Sequence, residues 1–172
     1  STRRDLLDDD VADELAKLQD KVPPFPGSLA RDIIETAFNK PVTELFNTFS
    51  PEPLASASIA QVHSATLSSG EAVVVKVIRP DIEKTISQDL ALLYRAAKLI
   101  ARFSADGRRL RPVEVVKDYE YTILDELDLT KEAANTAQLQ RYFTQSQLLY
   151  VPHIYWDYSR RNVMVMERIS GI

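Results

Sequence analysis

The sequence predicts an α+β fold in which one small antiparallel sheet carries long helices around it. The order of patterns along the chain says so first: helix-period segments, a hairpin, further helical segments and a second hairpin follow one another. The Ser69-Gly70 turn signal adds a second argument, since it separates two strand-like runs of which the later is rich in valine. Composition supplies the third. A chain of 172 residues with 45% apolar content suits one domain, or a domain with an attached subdomain, around a real core.

Val11, Leu15, Leu18 and Val22 fall at helical spacing, and Asp8, Asp9 and Asp10 stand where the helix dipole favours negative charge. Pro23-Pro24 ends that helix, and Phe25-Pro26-Gly27 makes a turn. Ser28 is placed to cap a second helix carrying Leu29, Ile33, Ala37 and Phe38, while Pro41 suits the first position of a short helix through Phe46. Residues 1–50 are thus expected to form a helical extension. The texture changes after Pro51 and Pro53, and residues 51–172 form the second unit. In it, 58–67 is a strand, and 71–79 pairs back as a hairpin ended by Pro80. Ile82, Ile86, Leu90, Leu93, Ala97 and Ile100 share one face of a helix over 81–104, broken at Asp106-Gly107. Pro112 opens a helical stretch to about residue 145. Strands over 150–156 and 162–169 close the chain.

Several chemistries are excluded at once. Without cysteine there are no disulfides, thiolate metal sites or cysteine nucleophiles. The two histidines, His63 and His153, are far apart and make no metal-ligand spacing. Gly27, Gly70, Gly107 and Gly171 are isolated, which excludes a P-loop and a glycine-rich dinucleotide fingerprint. A net charge of −4 argues against nucleic acid as a partner, and the pairs Arg3-Arg4, Arg108-Arg109 and Arg160-Arg161 suit a solvated surface. No apolar run approaches the roughly 18 residues of a bilayer span. The chain starts at Ser1 with no targeting segment, as expected of a piece of a longer protein facing the cytoplasm.

Three features carry chemistry. Lys76 interrupts the most apolar strand, where alternation sets Val74, Lys76 and Ile78 on one face and Val73, Val75 and Val77 on the other. It is either an edge-strand lysine reaching solvent or an ammonium held at a cleft, where it could neutralise phosphate oxygens. Just upstream, small residues crowd a strand entry at Ala55-Ser56-Ala57-Ser58-Ile59-Ala60-Gln61-Val62. Alanines occupy the three glycine places of the kinase loop pattern G-x-G-x-x-G-x-V, and the valine is kept. The third feature is 125–135. On one helix Asp128 and Glu132 would share a face, which is either a solvated acidic surface or the source of a carboxylate for Lys76. A strand lysine paired with a helical glutamate positions phosphates in protein kinases.

In this order, these pieces resemble the UbiB family of atypical protein-kinase-like proteins, whose bacterial members support ubiquinone biosynthesis. The matching phrases run from Ser1-Thr-Arg-Arg-Asp5 and Leu18-Gln-Asp-Lys-Val22 through Pro53-Leu-Ala-Ser-Ala-Ser-Ile-Ala-Gln-Val-His63 and Val75-Lys-Val-Ile-Arg-Pro80. They continue with Asp106-Gly-Arg-Arg-Leu-Arg-Pro112, Asp125-Glu-Leu-Asp-Leu129, Glu132-Ala-Ala-Asn135 and Val163-Met-Val-Met-Glu-Arg168. Collinear over essentially the whole chain, the set is specific where no single phrase would be.

The resemblance implies a kinase-like amino-terminal lobe, truncated near the hinge, that binds ATP and Mg2+. Ala55, Ser56, Ala57 and Ser58 would lie over the nucleotide phosphates, Leu54, Ile59, Ala60 and Gln61 would be among the nucleotide-binding residues, and Val62 and Val74 would cover the adenine. Lys76 would be the catalytic strand lysine and Glu132 its partner. Glu126 and Asp128 would form the Glu-x-Asp motif near the metal. Met166 would precede the hinge, and the backbone of Glu167, Arg168 and Ile169 would bind the adenine edge. For the full-length protein, the implied setting is the cytoplasmic side of the bacterial inner membrane, with quinone-biosynthesis proteins and membrane lipid as partners. Two departures stand out. The family's Lys-x-Gly-Gln segment, which restricts peptide access, would precede Ser1, and the catalytic-loop and metal-binding aspartates would follow Ile172. A protein kinase acting on partner proteins and a non-catalytic nucleotide-binding scaffold are the alternatives. Alanine in a conformation that favours glycine would cost about 1–2 kcal/mol, so the alanine loop is expected to be stiff.

Overall fold

The computed structural model describes residues 22–103, 109–144, 146 and 148–169. Most of the helix expected over 9–22, and the break at Asp106-Gly107, lie outside them. Among the described residues a four-stranded antiparallel sheet forms the centre. Its strands are β1 (Phe46–Ser56), β2 (Ala60–Leu67), β3 (Ala72–Ile78) and β4 (Val163–Glu167), adjacent in that order. β2 and β3 are joined by the expected tight turn, where Gly70 adopts a φ of 101° that a side chain would resist. β3 is therefore an inner strand, paired on both sides, and the edge-strand reading of Lys76 falls.

Among the described residues two helices precede the sheet, α1 (Gly27–Phe38) and α2 (Val42–Leu45). Ser28 does not cap α1: Pro26 occupies the cap position with no side-chain bond, and Ser28 sits inside the first turn. The buried stripe is rotated relative to the expected one. Ala30 and Ile34 are fully buried, Ile33, Ala37 and Phe38 partly so, and Leu29 faces outward. Gly27 is required sterically, because a Cβ there would collide with the Pro51 carbonyl of β1. Pro41 takes the cap position of α2 instead of its first helical position and makes no side-chain bond, while the Glu35 carboxylate accepts from the Val42 amide at 2.9 Å.

The sheet has two covered faces. Val73, Val75 and Val77 of β3 join Val163 and Val165 of β4 and Ala65 and Leu67 of β2 against Ala30, Ile34, Val42 and Leu45. All five of those valines are fully buried, and each contributes roughly 1.5–3 kcal/mol. Sheet and preceding helices thus share one core. On the other face, Ile78 and Met164 pack against Leu129 and Ala133. The residues that face outward from β3 on this side include Lys76.

The described residues between β3 and β4 include the helices α3 (Ile82–Phe103), α4 (Pro112–Asp125) and α5 (Leu129–Phe143). Only Ile86, Leu90 and Ala97 of the expected α3 stripe are buried; Leu93 and Ile100 are exposed. The single helix expected from Pro112 is two helices, because the chain turns at residues 126–128 and buries Leu127 against Ile86 and Leu90. Asp128 takes extended geometry and caps α5, so it is not one helical turn from Glu132 as expected. Before β4, the expected strand over 150–156 reduces to one bridge, Ile154 with Met166, followed by a 3-10 turn (Trp156–Tyr158). Pro152 removes a ladder donor from that segment.

Candidate functional site

Lys76 enters the site from the middle of β3. Its neighbours in register are Val62 on β2 and Met164 on β4, so the backbone beneath it is held from both sides. The Nζ donates to both carboxylate oxygens of Glu132, each at 2.7 Å. Glu132 is in the first turn of α5, whose axis is anchored by Leu129 and Ala133, both fully buried. The Leu129 amide also donates to the Arg161 carbonyl at 2.8 Å. The ion pair is thus set by two rigid elements. Its side chains are 22% and 44% exposed, so solvent screens it and its own stabilisation is about 0–1 kcal/mol.

The pair forms part of the wall of an open cavity of 810 Å³ between the sheet, α4 and α5. Ile59, Lys76, Glu126 and Glu132 line it, together with Asp125, Lys131 and Asn135, which the sequence reading had not assigned to the site. Lys131 donates to Asp125 across the break between α4 and α5, and that carboxylate holds the lysine's pKa above its usual value. The signal for Asn135 is its place on one helix, three residues after Glu132 and four after Lys131. The cavity lining therefore carries two ammonium groups and three carboxylates, with Lys76 paired to Glu132 and Lys131 to Asp125.

Other expected site residues fall elsewhere. Gln61 is fully buried on the opposite face of the sheet, where it accepts from the Phe25 amide at 3.0 Å and donates to the Phe25 carbonyl at 3.1 Å. It is a structural clamp, because the two-residue period of a strand sends it away from Lys76. Leu54, Ala55 and Ser56 belong to β1, while Ala57, Ser58 and Ile59 make the turn into β2, closed by the Ala57 amide donating to the Ala60 carbonyl at 2.8 Å. Of this stretch Ile59 alone lines the cavity. None of its alanines has a positive φ, so the expected strain is absent. Val62 and Val74 lie beside Lys76 on the same face of the sheet, partly buried, but outside the cavity lining.

Asp128 is engaged elsewhere too. Its Oδ1 accepts from the Thr130 amide and hydroxyl, and that hydroxyl bond is the main reason its pKa lies below the usual carboxylate value. Glu126 is exposed at the cavity and makes no side-chain hydrogen bond or ion pair among the described residues. At the far end of β4 the Glu167 amide donates to His153 and the Arg168 amide to Ala72, so neither N–H is available to an adenine edge. The Glu167 carboxylate accepts from the Tyr150 hydroxyl and the His153 amide. Ile169 lies beyond the strand, half exposed.

No three acidic or histidine side chains gather in metal-holding geometry among the described residues. Among the described residues Glu126 is the cavity carboxylate with no side-chain partner, so it would be the one to hold a magnesium ion that arrives with phosphate oxygens.

Known proteins match this arrangement throughout. Residues 17–172 match the ABC1 atypical kinase-like domain family. The whole chain is 61% identical to the "Probable protein kinase UbiB" of Marinobacter nauticus and 61% identical to that of Pseudomonas aeruginosa. These alignments cover 31% and 32% of the relatives, so the chain spans about a third of the length of the curated relatives it matches. A solved structure from Mycobacterium tuberculosis, the Rv3197–erythromycin complex, superposes with a TM-score of 0.74 at 27% identity, over 98% of this chain and 42% of that one. The small antiparallel sheet with its packed helices is a kinase-like amino-terminal lobe, and the chain belongs to the ABC1 atypical kinase-like family.

Proposed function

We propose that this chain is the ATP-cradling lobe of a kinase-like ATPase supporting ubiquinone biosynthesis at the cytoplasmic face of a membrane. The observation that carries the nucleotide part is the two-fold Lys76–Glu132 contact at the wall of the cavity. So weak a surface pair contributes little to folding, yet a paired inner strand and a buried helix turn fix both its ends. In the proposed role Lys76 steadies phosphate oxygens and Glu132 keeps the ammonium pointed at them. Glu126 would hold Mg2+ against those oxygens, and the ion would spread their negative charge. Val62 and Val74 would offer apolar surface to the base, and the backbone at Ile169 would meet its edge.

The quinone assignment rests on the names of the UbiB relatives and on the motif set, and quinone-biosynthesis proteins and membrane lipid follow from it as partners. The test is ATP turnover by the full-length protein and its Lys76→Ala variant, with and without lipid vesicles. Turnover that lipid stimulates and Lys76→Ala abolishes is the expected result. Undiminished turnover by the variant would remove Lys76 from the site.

A further inference from the structure

One residue ties the alanine-rich turn down from behind. Arg79 follows Lys76 by three positions, just past the end of β3. Its backbone amide donates to the Ile59 carbonyl at 2.9 Å. Its Nε donates to the Ala57 carbonyl at 2.9 Å, and its Nη2 donates to the Ser56 hydroxyl at 2.7 Å and the Pro23 carbonyl at 2.9 Å. The guanidinium also stands over the Phe25 ring, 5.6 Å from its centroid. Phe25 is itself immobilised, because Gln61 holds both its backbone amide and its carbonyl. Ser56, Ala57 and Ile59 are therefore all anchored to one side chain and its backbone, and that side chain is braced against a segment fixed to the far face of the sheet.

We infer that Arg79 is a positioning residue that fixes the 56–59 turn, and through Ile59 the wall of the Lys76 cavity, and so sets which length of phosphate chain the cavity accepts. The specificity part rests on the nucleotide reading; the anchoring part does not. Three acceptors in different directions suit a planar guanidinium with several fixed donors. Lysine has one charged centre and cannot serve all three from one place. Alanine leaves only the backbone bond to Ile59. The turn contains no glycine and no strained φ, so it has no internal device that would hold it closed apart from the Ala57–Ala60 bond. Released from Arg79, it should open and close over the cavity.

The experiment compares full-length parent, Arg79→Ala and Arg79→Lys by hydrogen exchange over residues 54–60 and by titration with Mg-ADP and Mg-ATP. Arg161→Ala, which removes an exposed pair with Glu83 and none of the bonds that hold the turn, is the control. Exchange of the Ala57 amide should rise on the order of tenfold in Arg79→Ala, with Arg79→Lys close to it and Arg161→Ala unchanged. The ratio of ADP to ATP affinity should shift by about threefold or more in both Arg79 variants. Should Arg79→Ala fail to fold, Arg79→Lys keeps the side-chain volume and carries the test. Unchanged exchange in the folded variants overturns the anchoring. Faster exchange with an unaltered affinity ratio overturns the specificity role. Faster exchange in the Arg79 variants of a protein whose parent binds neither nucleotide leaves the anchor standing and overturns the nucleotide reading, and the specificity role with it.

Discussion

Lys76 and His63 sit in the same hairpin and show how strand alternation divides labour. Lys76 points into the cavity, while His63 on β2 is fully buried on the other face, stacked on Phe49. Its Nδ1 faces the Ser50 carbonyl at 2.9 Å and must carry the proton; Nε2 then accepts from the Gln61 amide at 2.8 Å. Protonating Nε2 would set two donors against each other, and burial pushes the ring's pKa below its ordinary 6.5. The unfolded chain therefore takes up this proton first as pH falls. The histidine's contribution is complete above about pH 6.5 and is lost as pH drops toward the folded value. Stability of the parent to urea should decline as pH falls below about 6.5, in a range above that of the depressed carboxylate Asp128, and His63→Gln should flatten the change. An identical slope in the variant would contradict this. Lys76 was legible as an odd charge in a valine run, and its partner from the family's motif order. Gln61 was misplaced because a motif read as a linear string ignores the face each residue takes.

Elements were legible where one physical signal ruled and obscure where two competed. The β2–β3 hairpin announced itself through β-branched residues and Ser69-Gly70. β1 did not, because Pro51, Pro53 and its polar residues are those of an edge strand, whose outer side needs no ladder donors. The helix from Pro112 looked continuous because its periodicity survives the break. What interrupts it is the Asp128 cap and the burial of Leu127, a local bond and a tertiary contact acting together. The cap explains Asp128 without a metal, and the two roles separate by substitution. Asp128→Ala should cost about 1 kcal/mol in denaturation, and Asp128→Asn almost nothing, since asparagine caps as well as aspartate. Magnesium-dependent nucleotide binding should weaken in Glu126→Gln and stay unchanged in Asp128→Asn. A magnesium titration altered by Asp128→Asn would restore it to the metal site.

Taken as one body, the lobe is a sheet sealed on one face by α1 and α2 and only partly sealed on the other. α4 has no fully buried residue, and Leu92, Leu99 and Phe103 of α3 remain exposed. The cavity opens on that looser side, with Lys76 on the stiff sheet and Glu132 at the anchored start of α5. That asymmetry sets the floor of the cavity on the sheet and its wall on the exposed helices, and the Lys76–Glu132 contact there is the ground for proposing a nucleotide. The most direct measurement is a titration of Mg-ATP into the full-length parent and Lys76→Ala, with urea unfolding of each alongside. Lys76→Ala should unfold within about 1 kcal/mol of the parent, because the pair it removes is solvent-screened. Its affinity for Mg-ATP should fall by about tenfold or more, because a charge-assisted contact to phosphate is lost. Equal affinity in two equally stable proteins would contradict the account.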